Sequence, residues 1–479
     1  MNKIKQLPSL DAGGLPVLAL AAAAFALAQT AIVPGVSTLS HTLHASAADV
    51  SWVMSGYLLA AAVLTPILGR LGDMYGKRRM LVVALTGFAL GSVVAALAPN
   101  VWVLVAARVM QGAGGGIIPL CLGLIGERFE PNRRAVALGV VSAIAGIGAG
   151  AGLLMGGLLI AHASWHWIFW IGGIMASLAA LGALRLPADV GDARGPLDFA
   201  GMALLTVGLI APLFALTRTS TWGWVDPRTL GLITFGIVVL VIFVFAERRT
   251  TAPLVDMRVL GRPTVLVTNI TTLLFGFGMF GAFMLIPQLA QTPTAAGYGF
   301  GLDAAGAGLL LLPACIMMLV AGALSGRLSA RLGAKTALAA GAVVAATGLA
   351  ALAVSHNAQT PVIIWSMVLF SGLGLGMAAM PNLIMDAIPP EMSGQGNAVN
   401  NLIRTVGSSL GTQIVATLLA GSITTTHPIP SNDAYSQAFW IAAAGIAIAA
   451  VAALLIPRGR PTVAISEPDR RPAGHGAPS

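Results

Sequence analysis

The chain has 479 residues, 57% hydrophobic and only 9% charged, with a formal net charge of +9. Soluble domains carry roughly 25% charged residues, so this composition excludes a water-exposed globular enzyme and leaves no room for a large soluble domain. The only cysteines, Cys121 and Cys315, both lie inside apolar runs, which argues against a disulfide framework.

A membrane-crossing helix needs roughly 20 mostly apolar residues. Fourteen runs qualify, at 15–38, 49–69, 79–98, 101–125, 135–161, 167–186, 198–217, 229–246, 263–291, 302–326, 336–354, 360–385, 398–420 and 435–456. Lys3 and Lys5 ahead of the first run, with Ala26-Leu27-Ala28 inside it, imitate a secretory signal. The run is too long for one and many others follow, so an uncleaved first helix is expected. The tail from Pro457 is polar, rich in Pro and Arg, and expected to be disordered.

Lys and Arg set the orientation. With the N-terminus inside, 22 of 26 fall on cytoplasmic segments, against Arg218 and Arg228 outside and Arg108 and Arg404 within spans. That bias predicts a multi-pass protein of the cell membrane with both termini cytoplasmic. It also accounts for the positive charge without nucleic acid.

The stretch Gly69-Arg70-Leu71-Gly72-Asp73-Met74-Tyr75-Gly76-Lys77-Arg78-Arg79 joins the second and third runs. Its glycines permit a tight turn, its cations hold it inside, and one acid stands among them. A degenerate copy follows 257 residues later, with Gly326, Arg327, Leu328 and Gly333 in register and Ala330 at the place of Asp73. A carboxylate near helix ends can pair with cations and helix N-termini and release on rearrangement, so Gly69, Arg70, Asp73, Gly76, Lys77 and Arg78 form a candidate gate.

The repeat extends further. Gly112 to Pro119 resembles Gly372 to Pro381, and Pro131, Gly148 and Gly152 match Pro390, Gly407 and Gly411 at a constant shift of 259. Spans 1–6 therefore correspond to spans 9–14, with spans 7 and 8 as an inserted pair. The expected division is an N-terminal tail (1–14), a six-helix half (15–186), the inserted pair with its linkers (187–262), a second half (263–456) and the tail (457–479). Gly148, Gly152 and Gly156 share one helix face, with Gly157 adjacent, a pattern for close helix approach.

Arg108 falls about seven residues into the fourth span, one turn before Gln111. A charge there should face a wet cavity or a partner. Arg404 falls near the inner end of the thirteenth span, beside Asn397, Asn400 and Asn401.

The turn matches the G-x-x-x-D-x-x-G-[RK]-[RK] signature at Gly69, Asp73, Gly76, Lys77 and Arg78. With Trp52-x4-Tyr57-Leu58, Arg108-x3-Gly112 and Trp165-His166-Trp167, the chain resembles the fourteen-span drug/proton antiporter branch of the major facilitator superfamily. The first span carries Gln29 where that branch usually has an acid nearby, and Leu153 stands at the proline of its fifth-span motif. The resemblance implies an all-α membrane fold of two six-helix halves plus two inserted helices, and a cavity lined by spans 1, 4, 9 and 12. Those spans offer Gln29, Thr30, Arg108, Gln111, Asn269 and Asn382 as cavity, substrate or coupling residues.

By the same resemblance, the expected function is export of amphiphilic drug-like or endogenous molecules by alternating access in exchange for protons. No cofactor or metal is expected, only a proton gradient, and the expected partners are a small-molecule substrate and the lipid bilayer, with the protein a monomer. No acid lies near the middle of any span, so Asp73, Asp49, Asp303 and Glu127 are the default proton carriers. That gap keeps open a proton-independent facilitator; a non-transporting receptor or scaffold lacks the expected soluble domain. Catalysis has no support, since the sequence holds no Walker A motif, metal-ligand cluster or intramembrane acid pair.

The cation asymmetry fixes one outcome. Cysteines placed at Ser220 and Ser466 should label with an impermeant thiol reagent from opposite sides of the membrane. Labelling of both from one side overturns the fourteen-span topology.

Overall fold

A computed structural model describes residues 13–32, 39, 41–45, 47–187, 198–250, 253–389, 392–422 and 429–457. Most of the expected tails and of the 187–197 linker lies outside them. All regular structure among the described residues is helical. The long helices are α1 (Gly14–Thr30), α2 (Ala47–Tyr75), α3 (Lys77–Ala96) and α4 (Val101–Arg128), the last interrupted by a 3-10 stretch at Gly112–Gly116. Next come α5 (Pro131–His162), α6 (His166–Leu184), α7 (Phe199–Trp222) and α8 (Pro227–Glu247). After them run α9 (Pro263–Gln291), α10 (Ala304–Leu332), α11 (Ala334–Val354), α12 (Gln359–Ala387), α13 (Ser393–Gly421) and α14 (Asn432–Leu455). Twelve helices are long and apolar enough to cross a membrane; α1, with 17 residues, is a shorter apolar helix, and the 32-residue α5 stands apart from the twelve.

The packing repeats itself. α1 packs on α5 and α6, α3 on α4 and α6, and α2 on α4. Eight helices later, α9 packs on α13 and α14, α11 on α12 and α14, and α10 on α12. Two seams join the sets, α2 against α13 and α5 against α10. α7 and α8 pair with each other, and α7 touches both α2 and α13. Apolar side chains such as Leu178, Leu230, Ile316 and Val451 point outward, as expected where the surrounding solvent is lipid. On α8 only Thr229, Gly236, Val239, Phe243 and Glu247 are buried, which marks it as a peripheral helix.

Small residues set how closely these helices approach. A Cβ at Gly148 would sit 2.2 Å from the Ala26 Cβ, at Gly152 2.5 Å from the Leu27 carbonyl oxygen, and at Gly156 1.8 Å from that of Ala31. Gly157, next in line, is buried. In the second set, a Cβ at Gly407 or Gly411 would meet the Leu273 or Phe277 carbonyl oxygen at 2.0 and 2.1 Å. The glycine face read from the sequence is thus the α1–α5 contact, and its copy is the α9–α13 contact. The repeated turn is conserved in geometry as well: Gly76 and Gly333 take φ of 99° and 86°, a region that excludes most L side chains.

Gly152→Val and Gly411→Val should each wedge a helix pair apart, at a cost of about 1–3 kcal/mol or more. Gly231→Ala, where nothing stands within 4 Å of an added Cβ, serves as the control. Thermal unfolding in detergent should separate them. Equal midpoints for Gly152→Val and wild type would contradict the close approach.

Candidate functional site

The α2–α3 turn sets a carboxylate against the start of another helix. Asp73 is 3% exposed; its Oδ1 accepts from the Gly394 backbone N at 3.1 Å and its Oδ2 from that of Gln395 at 2.8 Å, in the first turn of α13. The first amides of a helix lack partners within it and carry the positive end of its dipole, so the acid is bound by hydrogen bonds and by charge. Lys77 stands 2.7 Å from Asp73 and also pairs with Glu127 of α4. Gly69 makes the approach possible, since a Cβ there would lie 2.6 Å from the Ala398 Cβ. Arg78 fastens the far side of the turn to α6, its Nε donating to the Ala183 carbonyl at 3.1 Å. Arg70 is buried beside Glu247. A second tie crosses the same end, where Arg134 of α5 meets Asp386 of α12 at 2.9 Å. The candidate gate residues therefore lie in one cluster that clasps α2 to α13; this is the basic end of the bundle.

Arg108 is 0% exposed and wholly enclosed. Its Nε donates to the Val53 carbonyl at 3.2 Å, and its Nη1 to the Ala28 carbonyl at 3.1 Å and to Gln111 Oε1 at 2.9 Å. The Tyr57 ring centroid lies 4.0 Å from the guanidinium carbon, and Gln111 Nε2 passes the chain on to Ser92 Oγ at 2.7 Å. Ala28 is among the last four residues of α1, whose carbonyls have no amide within the helix. Arg108 supplies a donor to one of them; α1 ends at Thr30, and residues 33–38 of the run expected to residue 38 lie outside the described residues. An arginine in the hydrocarbon costs at least ~2.5 kcal/mol on insertion scales; three acceptors and a ring offset that here. Arg108 and Gln111 knit α1 to α4 together and line neither cavity described next.

Two cavities lie between the helix sets. The larger, about 110 Å³, is lined by Gln29 of α1, Leu58 of α2, Leu216 of α7, Phe280 of α9, and Arg404, Thr405, Ser408, Ser409, Thr412 and Gln413 of α13. The smaller, about 30 Å³, is bounded by Ile118, Leu122, Ser142, Met377, Met380 and Pro381, and by Asn397, Asn400, Asn401 and Arg404. Arg404 belongs to both. α13 begins at Ser393, earlier than its apolar run suggested, so Arg404 is about 16 Å along the helix at 1.5 Å per residue. That places Arg404 toward the middle of its 29-residue helix.

Of the six cavity residues expected from sequence, Gln29 alone lines either cavity. Thr30 faces α5, where a Cβ on Gly152 would meet its Oγ1 at 2.4 Å. Asn269 accepts from Asn400 Nδ2 at 2.8 Å, which backs the smaller cavity without lining it. Asn382 donates to the Ala378 carbonyl of its own helix at 3.1 Å. All four expected spans reach the cavities, through Gln29 of α1, Ile118 and Leu122 of α4, Phe280 of α9 and Met377, Met380 and Pro381 of α12, but α13 contributes the largest share, and α2, α5 and the inserted α7 add one residue each. The signal was present in the sequence, since α13 is among the least apolar of the twelve candidate spans and carries a run of Asn, Ser and Thr.

The sequence profile of the Major Facilitator Superfamily matches residues 18–412. The chain belongs to that superfamily. It is 32% identical over 424 residues to the puromycin resistance protein pur8 of Streptomyces alboniger, covering 85% of this chain and 82% of that protein. It is 29% identical over 408 residues to the tetracenomycin C resistance and export protein of Streptomyces glaucescens, covering 84% and 75%. Among solved structures, the proton:xylose symporter XylE superposes with a TM-score of 0.64 over 93% of this chain and 95% of that one, at 15% identity, a likeness of fold. The protein is accordingly a multi-pass membrane transporter of this superfamily and not an enzyme.

In this transporter the acid that sequence reasoning passed over is Glu247, the last residue of α8, 2% exposed. Its Oε2 accepts from the Val255 backbone N at 3.4 Å, and the neighbouring Leu254 carbonyl accepts from the Gln395 side chain. Gln395 also gives its backbone amide to Asp73, so the linker after the inserted pair is bonded to the same cluster.

Asp73→Asn removes the charge from both the α13 amides and Lys77. Transport should fall at least tenfold while membrane insertion stays normal, and Ala330→Asp in the degenerate copy should not restore it. Full transport by Asp73→Asn would reduce the turn to a topology signal.

Proposed function

We propose that this transporter exports amphiphilic drug-like or endogenous small molecules by alternating access, in exchange for protons. The observation that carries the reading is the asymmetry between its ends. The basic end is clasped by Asp73 on α13 and by Arg134 on Asp386, while the larger cavity lies on the other side of Arg404. Release of those ties and closure of the opposite end would carry a bound molecule across. The drug-resistance and export names of the two relatives support drug-like substrates and outward direction.

In this reading the chain crosses the cell membrane fourteen times with both termini cytoplasmic. Two six-helix halves (15–186 and 263–456) rock about the α2–α13 and α5–α10 seams. The inserted pair within 187–262 braces one seam through α7. The protein works as a monomer, needs no cofactor, binds no nucleic acid, and draws on the proton gradient. A proton-independent facilitator is the second reading, favoured by one observation: no acid lines either cavity.

The test is reconstitution in proteoliposomes with an internal pH dye and a panel of lipophilic compounds. Protein-dependent substrate flux coupled to opposite proton flux is expected. Substrate flux without proton movement establishes the facilitator, and no flux with any compound overturns transport of amphiphiles.

A further inference from the structure

Arg404 and Arg108 are both arginines within the bundle, yet their surroundings differ. Arg108 is tied to two backbone carbonyls, Gln111 and the Tyr57 ring, and although its Nη2 has no partner it lines neither cavity, whereas Arg404 donates to the Asn401 side chain of its own helix and lines both. Among the described residues no carboxylate pairs with Arg404, and neither cavity that it lines contains an acid. Around it the α13 hydroxyls are already oriented. Thr405, Ser408, Ser409 and Thr412 each donate to the carbonyl four residues earlier, at 2.8–3.0 Å. Asn400 is likewise held, donating to Asn269 and Thr272 at 2.8 Å each. The apolar part of the lining comes from Leu58, Leu216 and Phe280 on one side and Met377 and Met380 on the other. Position 404 has no cationic counterpart in the first half, since the 259-residue shift places Ala145 there.

We propose that Arg404 is the anion-binding subsite of the transport path, and that the preferred cargo is an amphiphile with one carboxylate, sulfonate or similar anionic group. This rests on the export reading above and names its substrate class. A guanidinium offers a planar fork of donors that matches such groups in two parallel hydrogen bonds. A cation inside the bundle whose counter-charge arrives with the cargo is unfavourable when empty and relieved when loaded, so occupancy itself favours the switch between states. A lipophilic cation would meet the same charge as a repulsion, which gives the site its selectivity.

The probes are naphthalene-1-sulfonate and 1-naphthylmethylammonium, which share an apolar body and differ in charge. Binding is measured by equilibrium dialysis on wild type, Arg404→Gln, Arg404→Lys and Arg404→Glu in lipid nanodiscs, with counterflow of each probe in proteoliposomes. Wild type should bind the sulfonate at least tenfold more tightly than the ammonium. Arg404→Gln should lose that ratio, Arg404→Lys keep part of it and Arg404→Glu invert it, all with thermal midpoints near wild type. Sulfonate binding that is absent in wild type, or unchanged in Arg404→Gln, overturns the subsite. Charge-selective binding without counterflow upholds the subsite and sinks the export reading instead.

Discussion

The contact on which the bundle's closed end depends is a carboxylate on the first amides of a helix. Asp73 is almost fully buried, and an unpaired buried charge would cost several kcal/mol. It is tolerable because two α13 amides, the α13 dipole and Lys77 converge on it. Each of those partners is lost if α2 and α13 separate, so the acid couples its own solvation to the closure of the basic end. Gly69 and Gly394, with no side chains between the two helices, are what let the carboxylate reach backbone amides at all.

Rigidity within each helix set is of a different kind. The α1–α5 and α9–α13 contacts are backbone against backbone at glycine positions, where dispersion and close fit act without a hydrophobic drive, because lipid is as apolar as the helix surface. Glycine close approach also occurs between the sets, where a Cβ at Gly139 would lie 2.5 Å from the Gly322 carbonyl oxygen, but the α2–α13 seam adds the Asp73 carboxylate on the α13 amides. Polar ties such as these can be remade with water when helices separate.

The inserted pair belongs to this mechanics and is more than a peripheral addition. At one end of α7, Trp52 of α2 stacks on Phe214 at 5.4 Å, while Thr219 and Trp224 donate to Gln413 and Thr417 of α13 at 3.1 and 2.8 Å. At the basic end, the linker after α8 is bonded to Gln395. α7 and its partner thus bridge the two sets along one seam, and they contribute Leu216 to the larger cavity.

The sequence by itself determined the class, the helices and the symmetry. Long apolar runs have only one solution in lipid, cations mark one face, and glycine spacing is written in the chain. The pairing of Gly76 with Gly333 and of Gly152 with Gly411 was legible because backbone constraints leave local signatures. Residue roles within the bundle were not legible in the same way. Arg108 and Arg404 look alike in sequence, one cation within one span each. Only the tertiary structure sets the Ala28 carbonyl, Tyr57 and Gln111 around the first and leaves the second between two cavities. Which face of a helix meets a cavity depends on the rotation of every neighbour, and that information is shared among distant segments rather than held in any one of them. For the same reason Glu247 read as an ordinary helix-end acid until the Leu254–Val255 backbone and Arg70 were placed beside it.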